Sequence, residues 1–145
     1  GRPRPVSGYV VDASVAIKWF IPEIHSDAAL LVTRLHEHLH VPAFMVLELG
    51  SVIAKKIRRK ELTRAEGSTI LKELRYLPLQ RHADERLFPA AYELALDTQR
   101  SVYDCLYLAL AEVVEGRLIT ADRKFYRALA AHPFHDRLVW VEDLE

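Results

Sequence analysis

The sequence predicts one α/β domain in which helices cover both faces of a mostly parallel sheet. Short apolar runs typical of buried strands alternate along the chain with longer stretches whose apolar residues recur at helical spacing. The chain has 145 residues, 50% of them hydrophobic, which is enough for one core of its own. We see no internal repeat or low-complexity segment. In such a fold the ligands are expected at the carboxyl ends of the strands.

The first half of the chain begins with a strand that stops at an aspartate. The β-branched and aromatic run Tyr9–Val11 ends at Asp12, as a buried strand would. Pro42 stands at a first helical position and is expected to open a long helix. Thr63 and Glu66 predict a capping box for the helix that follows. The predicted ranges are strands 9–11 and 40–41 and helices 13–20, 26–38, 42–59 and 63–77.

The second half continues the alternation. The stretch 101–115 is apolar enough to be a core helix, and Gly116 is expected to end it. A short buried strand, Leu118–Thr120, then leads to Asp122. The predicted ranges are strands 79–81, 118–120 and 138–141 and helices 84–98, 101–115 and 122–130.

Composition excludes several classes of protein. Twenty Lys and Arg balance twenty Asp and Glu, so any attraction to nucleic acid must be local. The lone Cys105 cannot form an internal disulfide, and no stretch approaches the ~18 apolar residues of a membrane span. A cytoplasmic protein is therefore expected. Residues 1–7, with two prolines and no initiator Met, are expected to be a tail, disordered or foreign to the natural chain, and residues 8–145 a single domain.

Three aspartates stand at the ends of strands or the starts of helices. Each has an ordinary explanation: Asp12 and Asp122 could be helix N-caps, and Asp104 could form a capping box with Ser101. Glu48 is harder to explain, because it lies in an apolar helix with few cations nearby, and a carboxylate there needs a partner.

Taken together, the four acids predict a metal site. Mg²⁺ and Mn²⁺ prefer oxygen ligands, and crowded carboxylates would repel one another unless a cation sat among them. A cation held in this way suits the hydrolysis of phosphate esters. Ser14 and Thr120 each lie two residues from a proposed ligand, where a hydroxyl could hydrogen-bond a carboxylate or a bound water, although both could equally be ordinary helix-end hydroxyls.

The residues around these acids resemble the PIN domain, and within it the VapC toxins. The matching segments, in chain order, are VVDASVAIKW at Val10–Trp19, Glu48–Leu49, YDCLYLALAE at Tyr103–Glu112 and LITADRKF at Leu118–Phe125. The resemblance spans residue 9 to about residue 141.

This resemblance implies a PIN-domain-like α/β/α sandwich and a Mg²⁺- or Mn²⁺-dependent endoribonuclease. Its ligands and catalytic groups would be Asp12, Glu48, Asp104 and Asp122. The resemblance also implies a cognate VapB-like antitoxin that blocks the active site, and a homodimer. Some PIN domains carry a further acid or Asn shortly after the fourth carboxylate, whereas this chain has Arg123 to Tyr126 there, which favours a single metal ion.

Basic residues near the acids are candidates for holding the RNA backbone. Arg123 and Lys124 directly follow Asp122, and Lys55 and Arg59 belong to the densest basic run. That run could equally be the solvated end of a long helix.

One apolar helix face is a candidate docking surface for an antitoxin helix. Leu71, Leu74 and Leu77 recur along the helix predicted over residues 63–77, although ordinary core packing explains the same spacing.

Two other functions remain open at this point. One is a phosphotransfer enzyme of the haloacid-dehalogenase type with Asp12 as nucleophile, which would need a second Asp where Ser14 stands. The other is a PIN fold without catalysis that binds RNA or a protein. Tight metal binding without cleavage would favour the binding module.

Overall fold

A computed structural model describes residues 8–144, so the prediction of a tail at residues 1–7 lies outside the described residues. The strands are β1 Tyr9–Val11, β2 Leu39–Pro42, β3 Gln80–His82, β4 Arg117–Thr120 and β5 Leu138–Trp140. The helices are α1 Ala13–Ala16, α2 Ser26–Val32, α3 Met45–Arg58, α4 Arg64–Tyr76, α5 Asp84–Thr98, α6 Val102–Val113 and α7 Arg123–Ala128. Short 3₁₀ turns cover Ile17–Trp19, Thr33–His38, Pro133–Arg137 and Val141–Asp143.

The five strands form one sheet in the order β3-β2-β1-β4-β5, and every neighbouring pair is parallel. The predicted α/β class is therefore confirmed. Val10 and Val11 of β1 pair with Leu118 and Ile119 of β4, and all four side chains are completely buried. Burial without alternation is what a parallel sheet covered on both faces requires.

The chain leaves β1 toward β2 on one side, and β4 lies on the other side. In an open parallel sheet, the strand at which the order reverses opens a crevice beyond its carboxyl end. That end is followed here by Asp12, and the neighbouring β4 is followed by Asp122 after one intervening residue. The topology therefore directs both aspartates to the same crevice.

Helix α6 forms the centre of the core. It packs on β1, β2 and β4, and its residues Cys105–Ala111 are all buried. Helix α5 lies along it. Because α6 starts beside the crevice and then runs into the core, its first turn can present polar side chains while its middle turns are apolar. No helix among residues 8–144 is both long and apolar enough to cross a membrane.

The prediction for Pro42 was wrong. Pro42 is the last residue of β2, and α3 begins at Met45. The amide of the next residue, Ala43, continues the pairing with β3 by donating to the carbonyl of His82 at 2.8 Å. Proline is tolerated there because the backbone angle it imposes also suits the end of a strand and its missing N–H is not needed.

The end of α6 differs from the prediction in detail. The left-handed residue is Glu115, with φ of 51°, and Gly116 follows it. The amides of Glu115 and Gly116 donate to the carbonyls of Glu112 and Ala111, which is a Schellman motif. Gly116 is required for a different reason: a Cβ atom there would lie 2.2 Å from the backbone oxygen of Gly8.

Candidate active site

The four predicted acids line one small cavity of about 50 Å³. Asp12 follows β1, Asp122 lies just beyond β4, and Glu48 and Asp104 stand in the first turns of α3 and α6. A space of this size could hold an ion with a water molecule beside it. Its lining residues are Asp12, Ala13, Ser14, Glu48, Asp104, Tyr107, Asp122 and Phe125.

Asp12 is the most deeply placed of these acids, with 7% of its surface exposed. The Ser14 hydroxyl donates to Oδ1, and the Thr120 hydroxyl donates to Oδ2 at 2.5 Å. The backbone amide of Val15 also donates to Oδ1, at 3.3 Å, so Asp12 caps α1 as well. Both hydroxyls expected near the ligands therefore contact a carboxylate directly.

The hydroxyls of Ser14 and Thr120 also join the ends of the two central strands. Ser14 Oγ accepts from the amide of Ala121 at 2.9 Å, and Thr120 Oγ1 accepts from the amide of Asp122 at 3.1 Å. Each hydroxyl thus receives one backbone hydrogen and directs its own hydrogen to Asp12. This arrangement fixes the direction of both donors.

Burial raises the pKa of Asp12 from 3.8 to about 6, despite the hydrogen bonds from Ser14, Thr120 and Val15, which lower it. The nearby charge of Glu48 adds to the rise. Three donors thus do not recover the hydration that Asp12 loses. A cation in the cavity would restore the balance.

Glu48 reaches the cavity from α3 and is held by a side chain from α6. The Tyr107 hydroxyl donates to Oε1 of Glu48 at 2.5 Å. Partial burial raises the pKa of Glu48, and the charges of Asp104 and Asp122 raise it further, while the hydrogen bond from Tyr107 lowers it. The negative charges of Asp104 and Asp122 therefore repel that of Glu48, as expected in a site where carboxylates are crowded.

Asp104 is paired with a cation that the sequence analysis did not consider. Arg100 Nη2 lies 3.1 Å from Asp104 Oδ2, and the guanidinium also covers the ring of Phe125 at 5.5 Å. Ser101 caps α6 by accepting from the amide of Asp104 at 3.0 Å. The side chain of Asp104 thus bonds to Arg100 instead of completing a capping box with Ser101.

Asp122 combines capping with its place in the cavity. Its Oδ1 accepts from the amide of Phe125 at 3.1 Å, so it caps α7. For Asp12 and Asp122 the capping explanation and the site explanation are therefore compatible.

As the side chains stand, no three His, Cys, Asp or Glu residues are grouped tightly enough to hold one metal ion among those whose side chains the structure describes, in 8–35 and 38–144. Three of the acids have a partner within the protein. Hydroxyls hold Asp12, Tyr107 holds Glu48 and Arg100 holds Asp104. A shared ion would need some of these side chains to turn inward.

The candidate RNA-binding residues divide into two groups. Arg123 and Lys124 are exposed in the first turn of α7, and the Arg123 guanidinium stacks over the ring of Trp140 at 4.9 Å. Lys55 and Arg59 are exposed at the far end of α3, roughly 10 Å and 16 Å along the helix from Glu48 at 1.5 Å per residue. Only the first pair adjoins the cavity.

The predicted docking face on α4 is mostly core. Leu74 is 2% exposed and Leu77 is half-buried, so ordinary packing explains both. Leu71 is 37% exposed and borders a groove between α3 and α4, together with Val46 and Leu47 at 48% and 68% exposure. The apolar surface that is open to solvent beside α4 is therefore this groove.

Sequence reasoning missed Tyr107 and Arg100 as members of the site. Tyr107 follows Asp104 by three residues on one helix, so a helical projection could have placed both on the same face. Arg100 precedes Asp104 by four residues, a spacing typical of an ion pair, but it lies before the helix begins. No sequence rule would have placed Tyr107 against Glu48, which lies 59 positions away in the chain.

Comparison with known proteins gives one family match. The model of the PIN domain family matches residues 9–129. Ribonuclease VapC3 of Pyrobaculum aerophilum is 34% identical over 117 residues, covering 79% of this chain and 89% of the relative. Ribonuclease VapC9 of Mycobacterium tuberculosis is 34% identical over 113 residues, covering 78% of this chain and 84% of the relative.

Two solved structures share the fold. The crystal structure of PAE2754 from Pyrobaculum aerophilum superposes with a TM-score of 0.66 at 24% identity, covering 83% of this chain and 78% of that one. A toxin–antitoxin complex from Klebsiella pneumoniae contains a chain that superposes with a TM-score of 0.61 at 18% identity, covering 94% of this chain and 100% of that one. At these identities the likeness concerns the fold alone.

Proposed function

Because the chain belongs to the PIN domain family and, within it, to the VapC ribonucleases, we propose that it is a metal-dependent endoribonuclease acting on RNA phosphodiesters. The observation that carries this proposal is the meeting of four acids from four separate elements in one cavity at the carboxyl edge of the sheet. Asp12, Glu48, Asp104 and Asp122 are the catalytic and metal-holding residues.

The donor set fits Mg²⁺ or Mn²⁺. It consists of carboxylate oxygens alone, which are the ligands that these hard cations prefer. Burial is the main cause of the raised pKa values of Asp12 and Glu48, and the charges of neighbouring acids add to it, so a cation in the cavity would stabilise both carboxylates. When bound, the ion would supply an activated water and would stabilise charge on the leaving oxygen. No protein nucleophile is needed.

The protein's own side chains orient the acids for this chemistry. Ser14 and Thr120 direct the carboxylate of Asp12, and Asp104 is expected to turn away from Arg100 toward the ion. One ion is proposed, because the basic and aromatic residues after Asp122 offer no further ligand.

The RNA backbone is proposed to lie over Arg123 and Lys124, beside Asp122. Both are exposed in the first turn of α7, and Arg123 is braced by its stacking on Trp140. Lys55 and Arg59 lie at the far end of α3 and could contact only a more distant part of the same strand. Charge at these positions matters only locally, since the whole chain has a formal net charge of +0.

We further propose that the protein is the toxin of a toxin–antitoxin pair acting in the cytoplasm, with a VapB-like antitoxin as partner. The VapC relatives support this role. The apolar groove between α3 and α4 is the proposed seat for an antitoxin helix, with Leu47, Val46 and Leu71 as exposed contacts. Its α3 wall includes the turn that carries Glu48, so a chain in the groove could extend to the active site.

A homodimer is proposed on the outer face of α5. Phe88, Tyr92 and Leu96 recur every four residues and are 52%, 47% and 60% exposed. Large apolar side chains aligned on one exposed helix face mark an interaction surface. A second copy of the chain could cover this stripe by placing α5 against α5 around a twofold axis.

The deciding experiment is cleavage of total cellular RNA by the purified protein, free of any partner, in Mn²⁺ or Mg²⁺ and in EDTA. Asp12→Asn and Asp104→Asn are expected to abolish cleavage while remaining folded by circular dichroism. Asp97→Asn removes an exposed carboxylate of α5 and serves as the matched control. The products should carry no 2′,3′-cyclic phosphate, because water and not the neighbouring 2′-hydroxyl attacks.

Other outcomes would point to the alternative functions. A folded wild type that binds Mn²⁺ tightly and cuts no RNA would indicate a binding module. A phosphorylated Asp12 recovered after incubation with a phosphate ester would indicate the phosphotransfer enzyme, for which Ser14 replaces a required acid.

A further inference from the structure

Tyr107 is a buried hydroxyl inside a cavity of acids. It is 2% exposed and lies in the second turn of α6, three residues after Asp104. Its hydroxyl donates to Oε1 of Glu48 at 2.5 Å, joining two residues that are 59 positions apart in the chain. The phenol is therefore fixed as a donor to Glu48.

We infer that Tyr107 is a positioning residue that holds Oε1 of Glu48, so that Glu48 presents Oε2 to the cation as a ligand with one oxygen. This inference rests on the proposed metal site. Within the described part of the chain, Oε2 of Glu48 forms no hydrogen bond of its own. Without the phenol, the carboxylate could rotate about its terminal bond and either oxygen could face the cavity.

A tyrosine suits this position better than a cationic side chain. A Lys or Arg would neutralise Glu48 and compete with a metal ion for it, whereas a neutral hydroxyl orients the carboxylate and leaves its charge in place. Burial, followed by the charge of Glu48, raises the pKa of Tyr107, so the hydroxyl keeps its hydrogen as a donor.

Asp104 differs from Glu48 in the kind of side chain that holds it. Asp104 is held by Arg100, whose side chain is 23% exposed and therefore reaches solvent. Tyr107 is enclosed and cannot leave Glu48 without opening the core. Glu48 is thus the acid whose orientation is set before any ion arrives.

The test is the affinity of the metal-free protein for Mn²⁺, measured from the electron paramagnetic resonance signal of free Mn²⁺. Tyr107→Phe removes only the hydroxyl and is expected to weaken binding about tenfold, the lower end of the effect of losing a hydrogen bond to a metal ligand. Tyr103→Phe removes an exposed hydroxyl from the same helix and should bind as the wild type does.

A double-mutant cycle then asks whether Tyr107 acts through Glu48. In a Glu48→Gln background, Tyr107→Phe should weaken binding no further, because the carboxylate it positions is gone. Glu48→Asp keeps the charge but withdraws it from the hydroxyl by one methylene, and it should lose affinity as Tyr107→Phe does. The melting temperature of each variant in EDTA separates this effect from a loss of folding.

The outcomes are distinct. Equal Mn²⁺ affinity of the wild type and Tyr107→Phe would overturn the inference and leave the metal site standing. The same tenfold loss in both backgrounds would also overturn it, because Tyr107 would then act independently of Glu48. A folded wild type that binds no Mn²⁺ would overturn the proposed metal site together with this inference.

Discussion

Removing the charge of Asp12 should make the metal-free protein more stable. The carboxylate is buried, and its pKa is raised from 3.8 to about 6, so its ionised form is less stable in the folded chain than in the unfolded one. The difference corresponds to about 3 kcal/mol at 1.36 kcal/mol per pH unit. Asp12→Asn keeps the shape of the side chain and removes this cost; because its amide nitrogen cannot accept a hydrogen bond from the hydroxyl that it faces, about 3 kcal/mol is the upper limit of the gain.

The stabilisation by Asp12→Asn should depend on pH, because only the ionised form of Asp12 is destabilised by burial. Between pH 3.8 and about 6 the folded protein binds more protons at Asp12 than the unfolded chain does, so the free energy of unfolding falls as the pH rises through this window. At pH 8 the wild type carries the full cost, and near pH 4 it carries almost none. The stabilisation by Asp12→Asn is therefore expected at pH 8 and should vanish near pH 4.

Urea denaturation in EDTA at pH 4 and pH 8 measures the effect directly. A gain of 3 kcal/mol corresponds to roughly 6–12 °C in melting temperature for a domain of this size. Mn²⁺ should raise the melting temperature of the wild type more than that of Asp12→Asn, because the ion offsets a charge that the variant lacks. Asp97→Asn, on an exposed surface, should change neither the stability in EDTA nor the rise in melting temperature that Mn²⁺ causes.

A variant less stable than the wild type at pH 8 would refute this reasoning. It would mean that the hydrogen bonds from Ser14 and Thr120 outweigh the burial of the charge. A gain of equal size at both pH values would refute it as well, since the benefit would then come from packing and not from ionisation.

Three further predictions rest on single contacts. Thr120→Val should lower the free energy of unfolding by about 1–3 kcal/mol in urea titrations, because the amide of Asp122 loses its acceptor, whereas Thr120→Ser should not. Gly116→Ala should lower the free energy of unfolding by about 1–3 kcal/mol, because the added Cβ would meet the backbone of Gly8. Gly50→Ala in α3 should raise it by about 0.5–1 kcal/mol, because a Cβ there meets nothing within 4 Å. Calorimetry distinguishes the two signs. Leu96→Glu on the exposed stripe of α5 should convert a dimer into a monomer in sedimentation, and an unchanged sedimentation coefficient would contradict the proposed interface.

The strands and the four acids were predictable because their signals are local. The runs Tyr9–Val11 and Leu118–Ile119 are apolar because both faces of a parallel sheet are covered, and an aspartate follows each run within three residues. Parallel strands then bring their carboxyl ends to one edge whatever the details of the connections. Position in the chain was enough to place Asp12 and Asp122 together.

The errors arose where one local rule has two outcomes. Proline fits the first turn of a helix and also the end of a strand, and only the pairing of β2 with β3 decides for Pro42. Glycine fits a left-handed position and also a close backbone approach, and only the proximity of Gly8 identifies the second role for Gly116. Both decisions depend on contacts between distant parts of the chain.

The side chains that hold the acids could not be derived from the sequence for the same reason. Tyr107 bonds to Glu48 across 59 residues and Thr120 to Asp12 across 108. A Tyr on an apolar helix and a Thr at a strand end are far more common as packing residues than as partners of a ligand. Their roles follow from which carboxylate the fold brings beside them.

The chemical nature of the side chains that contact the four acids explains why the carboxylates keep their negative charge. Asp12, Glu48 and Asp122 are held by hydroxyls and backbone amides, which orient a carboxylate without neutralising it. Only Asp104 is paired with a cation, and that cation is the partly exposed Arg100 at the rim. Burial therefore destabilises the ionised forms of Asp12 and Glu48, and a bound cation would offset this cost. A site built for stability alone would have placed cations against all four.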